Sequence, residues 1–433
     1  MFVFFPVSIF AAPVFHPSGA NLTYGDVSNT QNIFSTTGNP AAGATVYSSK
    51  NKGELRFGIL SSMGGSLELG GLDGVTDDFA AIQSDISALS SGTPTLGDLN
   101  NIKTSFDNLL MRIGSELYII QLNGTAHSPI APFVMTANFL GGSFVVDINA
   151  GAQSKISFVD SPVTIDLLAL EPSTNSAFYL KNGFVAEYSF GYSVPLLNMT
   201  EWLMMDLGRL YGGTRFNFYQ VALTKSLFPF SQYAEIQSLL LDSFSTIPAF
   251  QYGYGIDAGL LLVNYNYRFG LTLENINSPS FSYAAMGENC LSLSAGTEQD
   301  SCFIARSLSS KIDMQETHTM NTQLRFEAAM YTPSQNWVAG LGLDLNETTD
   351  LLGNPVQRFS VSAAYATRSW WVPGLRVGFH TNLAGSALSH VSAGMSFFKS
   401  MHLDIGYGLQ TVVYEGTEIP RKLAMNLGFD MNF

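Results

Sequence analysis

From about Asn321 to the end of the chain, apolar residues alternate with small or polar ones in short segments that turn residues separate. Successive side chains of a β-strand point to opposite faces of its sheet, so this pattern predicts a series of strands. The charged residues share a face with glycine, serine and alanine, whereas the other face is almost purely apolar and aromatic. The charged residues of that small-residue face are Arg325, Glu327, Asp344, Arg358, Arg376 and Asp404.

A membrane barrel explains this distribution, because its outer face meets lipid and its inner face encloses a polar, tightly spaced lumen. In a soluble sandwich the charged face would meet water, and glycine and serine would not dominate it. Only 12% of the residues are charged, against about 25% in an ordinary soluble domain. The body of the chain has no run of about 20 apolar residues, which a transmembrane helix requires. The closed barrel remains, with the six charged residues facing its lumen.

Further candidate strands lie at 116–124, 132–140, 143–151, 183–194, 213–223 and between 255 and 275. The pattern predicts an all-β fold, a transmembrane antiparallel β-barrel of about 14 strands, since bacterial single-chain barrels have even strand numbers. Within 72–113, apolar residues recur every three or four positions, which indicates amphipathic helices. Shorter helices are predicted at 199–211 and 231–244. These insertions either cap or plug the barrel, or only fill loops.

Both ends of the chain carry signals of export. The first residues, MFVFFPVSIFAAP, resemble the apolar core and cleavage region of a secretory signal peptide, assigned to residues 1–12. A basic n-region is missing, which is consistent with a true start upstream, and an apolar N-terminal strand is the alternative. Phe429, Met431 and Phe433 end an alternating strand and resemble the C-terminal signal recognised by the outer-membrane barrel assembly machinery. We expect residues 53–433 to form a barrel in the outer membrane of a Gram-negative bacterium, with membrane lipid and that machinery as partners.

Charge and cysteine content exclude some functions and suggest one covalent bond. The formal net charge is −14 and no basic stripe is visible, so nucleic acid is not an expected ligand. Cys290 and Cys302 are the only cysteines and lie in one Ser/Gly/Asn-rich segment. In an oxidising compartment they predict a disulfide that closes a loop, with two free thiols as the alternative.

No motif for catalysis stands out. There is no GxSxG nucleophile elbow, no HExxH or other metal-ligand motif, and no phosphate-binding loop. His380 and His402 share inward faces with Arg376 and Asp404, and we interpret both histidines as lumen residues. We therefore predict no catalytic residue, no metal and no other cofactor. A lipase-type enzyme is a third hypothesis for the function.

The N-terminal region suggests a family. Residues 38–44 read GNPAAGA after a Ser/Thr/Asn-rich stretch. An Asn-Pro-Ala segment followed by barrel strands is similar to FadL-type outer-membrane proteins, whose N-terminal segment folds into the barrel as a hatch. The resemblance implies a hatch at residues 13–52, with the motif Gly38, Asn39, Pro40 and Ala41. The alternative is an ordinary exposed turn.

The second half narrows the resemblance. Its segments GLTLENINSPSF, YTPSQNWVAGLGLDLNETTDLLGNPVQRFSVSAAY and GLRVGFHTNLAGSALSHVSAGMSFF look like the outer-membrane TraF-type family, FadL-like barrels named from plasmid transfer operons. Nothing in the chain resembles the thioredoxin-like protein that shares the TraF name. The resemblance implies passive uptake or binding of small hydrophobic molecules. The alternative is a structural or interaction component of an outer-membrane conjugation or secretion apparatus that moves no solute.

Overall fold

A computed structural model of the chain describes residues 17–29, 32–45, 55–58, 62–71, 74–75, 78, 81–82, 84, 96–137, 141–166, 171–203, 207–230, 249–294, 296–366, 369–398, 400–414 and 416–432. One closed antiparallel sheet of 14 barrel strands dominates the fold, as the sequence predicts. The predicted signal peptide, the predicted helix at 231–244 and Phe433 lie outside the described residues.

The barrel strands follow one another around the wall in chain order. They are β1 (Leu55–Gly58 and Met63–Leu69), β2 (Ile120–His127 and Phe133–Ala137), β3 (Gly142–Val159), β4 (Ala177–Asn198), β5 (Arg209–Pro229), β6 (Gln251–Val263), β7 (Tyr267–Glu274), β8 (Gln323–Tyr331), β9 (Trp337–Asp344), β10 (Arg358–Tyr365), β11 (Gly374–Asn382), β12 (Ser389–Phe397), β13 (Met401–Gly408) and β14 (Lys422–Asn432). The barrel closes where β14 pairs with both parts of β1, with Met431 opposite Phe57 and Leu423 opposite Leu67.

Strands β1 and β2 are each divided at the same height. Met63 pairs with Ala126 above the division, and Phe57 pairs with Phe133 below it. The segments 116–124 and 132–140, predicted as two strands, therefore supply the two parts of one barrel strand. Periodicity alone shows two short runs and not that they continue each other in the wall.

Side chains of the strands alternate between the outside and the lumen. The outer face is apolar and aromatic, as a lipid-facing surface requires; its exposed residues include Phe216, Phe218, Tyr252, Tyr254, Phe269, Leu271, Val361, Leu375, Val377, Ile405 and Met425. Among the described helices, none is long and apolar enough to cross a membrane.

The N-terminal residues 17–45, which we term the luminal segment, lie inside the barrel. The segment contains two single-turn helices, α1 (Asn21–Tyr24) and α2 (Ser35–Gly38), and a 3-10 helix at Pro40–Thr45. Most of its described residues are buried, among them Leu22, Phe34 and Asn39. The wall strands therefore enclose part of their own chain.

Short turns join the strands at one end of the barrel, and long loops at the other. Helix α3 (Leu96–Ser115) lies in the first long loop, and α4 (Met199–Leu203) in the turn before β5. Within the predicted helix at 199–211, the described residues 199–203 are helical, and 209–211 belong to β5. The minor hairpins are Thr164–Asp166 with Glu171–Ser173, Ser280–Ser282 with Thr317–Thr319, Thr348–Thr349 with Pro355–Val356, and Thr411–Tyr414 with Thr417–Pro420.

Strands β3 to β5 have 18, 22 and 21 residues, whereas about 9–11 residues cross a bilayer. Their extra length lies at the loop end, where helices cover it. Phe106 and Leu110 of α3 pack against Phe158 of β3. Helix α5 (Thr297–Ser307) follows a 3-10 turn at Cys290–Ser292 and packs Ala305 near β5. The sequence pattern predicts only a loop between the cysteines, whereas the structure has helix α5 there.

Candidate functional site

The predicted hatch motif lies against the wall inside the lumen. The Asn39 side-chain amide donates to Glu327 Oε1 over 2.6 Å and to the Leu260 carbonyl over 3.3 Å. The Oδ1 atom of the same side chain accepts from the Ala41 backbone amide at 2.9 Å. Asn39 and Ala41 are 1% and 0% exposed. The motif is thus a buried connection between the luminal segment and the wall, and not an exposed turn.

Two wall glycines permit this close approach. A Cβ atom placed on Gly213 of β5 would lie 2.3 Å from the Pro40 carbonyl oxygen, and one on Gly259 of β6 would lie 2.2 Å from Asn39 Oδ1. No side chain fits at either position without displacing the luminal segment.

Glu327 of β8 anchors a second point of the luminal segment. Its carboxylate accepts hydrogen bonds from the Ser28 amide and, over 2.8 Å, from the Ser28 hydroxyl. The Tyr331 hydroxyl donates to the Ser28 carbonyl at 3.2 Å. The Ser28 amide and hydroxyl, together with Asn39, satisfy the Glu327 carboxylate, which is 3% exposed; such partners are required because a buried charge is costly without them.

Asp26 is held between two arginines of the wall. Its Oδ2 atom lies 3.3 Å from Arg325 Nη1 and 3.3 Å from Arg358 Nη1. Both arginines also contact Asp344, and Arg325 additionally reaches Glu274 at 3.1 Å. Burial acts to raise the pKa of Asp26, but the two guanidinium groups outweigh it and hold that pKa below its usual value.

Arg376 and Asp404 form the third anchor. Their side chains pair at 2.8 Å, the Thr23 hydroxyl donates to Asp404, and the Arg376 guanidinium lies 5.5 Å from the centre of the Tyr24 ring. All six charged residues predicted to face the lumen do lie on its inner side, and Arg325, Glu327, Arg358, Arg376 and Asp404 touch the luminal segment directly.

Arg215 of β5 also holds the luminal segment, although it is not among the residues predicted to face the lumen. This guanidinium pairs with Asp257 at 2.8 Å and donates to the Thr36 and Thr37 carbonyls over 3.2 and 2.5 Å. The alternation in RFNF, with Phe216 and Phe218 outward, is the signal that would have identified it.

A long loop closes the lumen from the opposite side. Residues 345–357, which we term the lid loop, fold inward so that Leu351 and Leu352 are fully buried. Asp350 accepts from the Leu352 and Asn354 amides at 3.0 and 2.8 Å and from the Gln121 side chain at 3.1 Å. Burial raises the pKa of Asp350 despite these donors.

Between the lid loop and the luminal segment lies a cavity of about 130 Å³, which we term the chamber. Apolar side chains border part of it: Leu22, Leu117, Tyr118, Val356 and Leu388. Polar groups border the rest, including Arg358, His380 and Lys422. The chamber can therefore accept a small, mainly apolar molecule with one polar group.

The remaining predicted residues have other positions. Cys290 and Cys302 form a disulfide. In β14, Phe429 lies opposite Met401 of β13, and Met431 lies opposite Phe57 of β1. His380 stacks on His390 with ring centres 4.8 Å apart, and His402 bonds the Ser396 hydroxyl at 2.9 Å. Across the described residues, no three His, Cys, Asp or Glu side chains come together as a metal site.

Comparison with known proteins gives a family and a fold likeness. The model of the family described as "F plasmid transfer operon, TraF, protein" matches residues 36–344. No curated protein matches the chain. The structure is similar to a deletion mutant of the TodX monoaromatic hydrocarbon channel, with 11% identity, 97% of this chain and 100% of that chain covered, and a TM-score of 0.48. The P. putida toluene transporter TodX (13%, 98% and 99%, 0.41) and a Pseudomonas aeruginosa FadL homologue (9%, 98% and 99%, 0.33) are also similar.

Proposed function

The chain belongs to the F plasmid transfer operon TraF protein family, and from this premise we propose that it is an outer-membrane barrel for passive uptake of small, mainly apolar molecules. The observation that carries the proposal is the chamber, a cavity inside the barrel between two closures. One closure is the lid loop, and the other is the luminal segment, which acts as a hatch.

The apolar side of the chamber favours an apolar cargo. Leu22, Tyr118 and Leu388 border the cavity and are each at most 2% exposed, so a ligand there would pack against side chains that are already withdrawn from water. The Tyr118 hydroxyl donates its hydrogen bond to Glu68 at 2.7 Å, so it does not donate to a ligand. A bound molecule therefore gains mainly from shape and apolar contact.

Passage requires the hatch to move, because its residues fill the lumen below the chamber. Its anchors at Asp26, Ser28 and Asn39 are hydrogen bonds and ion pairs to charged groups, which contribute about 1.5–3 kcal/mol each. No covalent bond ties the described part of the hatch to the wall. Displacement of the segment therefore requires only that these non-covalent contacts exchange for contacts with solvent.

The divided part of the wall offers a route out of the barrel. The His127 ring contacts Phe34 of the hatch with centres 5.3 Å apart, and His127 ends the first part of β2. Beyond it, Ile130 is 62% exposed towards the outside. An apolar cargo released there would enter the lipid directly, which is the favoured environment for it.

The membrane assignment follows from the outer face. Apolar side chains form a continuous exterior, and charged strand residues point inward, as in outer-membrane barrels. We propose an outer-membrane location, lipid as the surrounding partner, and recognition of the last strand by the barrel assembly machinery through Phe429, Met431 and Phe433. The proposal includes no enzymatic step and no cofactor.

The test is uptake of toluene into liposomes that contain the purified protein. We expect uptake above that of empty liposomes, reduced at least tenfold by Leu388→Gln, which places an amide in the chamber. The matched control is Leu291→Gln on the disulfide loop, where the leucine is 85% exposed, and it should take up toluene normally. Uptake no faster than in empty liposomes would refute the transport proposal.

The family description, which names a transfer operon, favours a second candidate, a non-transporting component of a transfer apparatus. Plasmid transfer by cells that lack the whole chain, compared with cells that carry Leu388→Gln, distinguishes the two. A component that moves no solute would support normal transfer in this variant and lose transfer on deletion, whereas a solute channel would leave transfer unchanged in both.

A further inference from the structure

A second cavity lies beside the hatch and is separate from the apolar side of the chamber. Its volume is about 120 Å³. Thr37 and Gly38 of the hatch border it on one side, and inward residues of strands β2 to β6 border it on the other. The two cavities adjoin at Asp26, Arg325 and Arg358, which line both.

Strand register brings two carboxylates together on the wall of this cavity. Asn149 of β3 lies opposite His127 on one side and Glu187 on the other. Asp147 lies opposite Ser189. Asp147 and Glu187 are therefore diagonal neighbours on the same inward face, with backbones about 7–8 Å apart, which is within reach of one small ion held between the side chains.

The cations that border the cavity are already bound to other carboxylates. Arg215 pairs with Asp257 at 2.8 Å, and Arg325 and Arg358 share Asp26. Glu187, by contrast, has no ion pair among the described residues, and its recorded hydrogen bond comes from the Ser189 hydroxyl at 2.7 Å. The side of the cavity near β3 and β4 thus places two carboxylates, Asp147 and Glu187, near one arginine, Arg215, which is itself paired with Asp257.

His127 supplies an independent observation that points to a ligand. It is 6% exposed and borders the cavity, and neither ring nitrogen has a hydrogen-bond partner among the described residues. Its Nε2 atom lies 3.4 Å from Asp147 Oδ2 without hydrogen-bond geometry. Buried polar atoms in native proteins nearly always have partners, so His127 Nδ1, which has none among the described residues, is available to an occupant of the cavity.

We propose that the cavity binds a small organic ammonium ion, with its head group between Asp147 and Glu187 and a further N–H directed at His127. An alkylammonium group has three N–H donors and no acceptor, which matches two carboxylates and one imidazole nitrogen. The described side chains offer no three-ligand metal site, so direct metal coordination fits less well. An engineered cavity of about 150 Å³ accepts benzene, so an ammonium ion with a few carbon atoms fits here.

The hatch forms one side of this site, and binding therefore favours the closed state. A ligand stabilises the state that binds it by mass action. This consequence rests on the proposed function, because it predicts that methylammonium slows toluene uptake. Binding itself does not rest on it and is measured without transport.

The test is calorimetric titration of the full chain in detergent with methylammonium chloride, and with sodium acetate as an anion of similar size. We expect saturable binding of methylammonium, no binding of acetate, and at least tenfold weaker methylammonium binding to Glu187→Gln. Glu298→Gln, on the exposed side of α5, is the matched control and should bind as the unchanged protein does.

Asp147→Asn provides a second variant should Glu187→Gln fail to fold, which circular dichroism would show, and it should weaken binding to the same degree. Equal binding to both variants and the unchanged protein overturns the proposal. So does absence of saturable methylammonium binding, or binding of calcium in its place. If methylammonium binds but toluene uptake is absent, the site stands and the proposed transport function fails.

Discussion

Asp26 of the luminal segment stands equidistant from two wall arginines, 3.3 Å from Arg325 Nη1 and 3.3 Å from Arg358 Nη1. The two arginines belong to strands β8 and β10, with β9 between them. One carboxylate therefore ties the hatch to a broad sector of the wall. It is the contact through which charge most directly holds the closed state.

Asp26→Asn should release this contact while preserving side-chain size. Both arginines keep Asp344 as a partner, so the wall retains its own pairing, and the hatch loses about 2 kcal/mol, typical of a hydrogen bond to a charged group. We expect channel openings in planar bilayers to become about 30-fold more frequent. Asp300→Asn on α5 is the control, and openings equally frequent in Asp26→Asn and the unchanged protein would contradict the assignment.

The pKa of Asp26 fixes the direction of a pH effect. Because that pKa is lowered in the closed state, the ion pairs stabilise closure fully above the ordinary carboxyl pKa of about 4 and are lost as pH falls through the lower value. Opening frequency should stay flat from pH 8 to pH 5 and rise only below about pH 4. Asp26→Asn should abolish the acid rise, and a rise already present at pH 6 would point to a different group.

Gly213 should be intolerant of any side chain. A Cβ atom there would lie 2.3 to 2.6 Å from backbone atoms of Pro40 and Ala41, and backbone cannot yield as a flexible side chain does. Gly213→Ala should displace the hatch and expose residues 17–45 to protease in intact liposomes. Gly124→Ala is the matched control, since its Cβ would meet only the Gly64 carbonyl oxygen at 3.8 Å. Equal protection of the hatch in both variants would show that this approach is unimportant.

The disulfide should stabilise residues 280–319, which we term the cap because helix α5 covers the loop end of β3 to β5. It should not change the stability of the barrel. Closing a loop of about 15 residues stabilises by about 3 kcal/mol in the chain-entropy account. In Cys290→Ser/Cys302→Ser, hydrogen exchange should accelerate in peptides from 280–319 and stay slow in β8 to β14. Unchanged exchange in 280–319 would mean that packing of α5, through residues such as Ala305 and Leu308, holds the cap unaided.

The strands and the inner face could be predicted because a period of two is written directly in the residues. In β8, Arg325, Glu327 and Ala329 are buried while Met330 is 69% exposed, as the alternation indicates. The same reasoning extends to Arg215, whose outward neighbours are phenylalanines. The local pattern determines whether a side chain points outward or into the lumen, and only side chains that point into the lumen can form the site.

Partners across the lumen could not be predicted, because they are set by closure of the whole barrel. Thr23 meets Asp404 and Asn39 meets Glu327 across roughly 300 to 400 positions of chain. The divided β2 was hidden for the same reason, since only the register with β1 and β3 shows that its two parts continue each other. Helix α5 escaped because its apolar residues Cys302, Phe303 and Ile304 are consecutive and show no helical spacing.

The central claim is that the luminal segment must move for cargo to pass. The most direct test links this segment to the wall by an engineered disulfide and measures uptake. A Cβ atom on Gly340 of β9 would lie 3.4 Å from Val27 Cβ of the hatch, close to the 3.5–4.5 Å that a disulfide spans. Liposomes that contain Val27→Cys/Gly340→Cys should take up toluene faster than empty liposomes only after reduction, whereas those with the unchanged protein should do so in both redox states. Equal uptake by the oxidised and reduced variant would contradict a luminal segment that must move for cargo to pass.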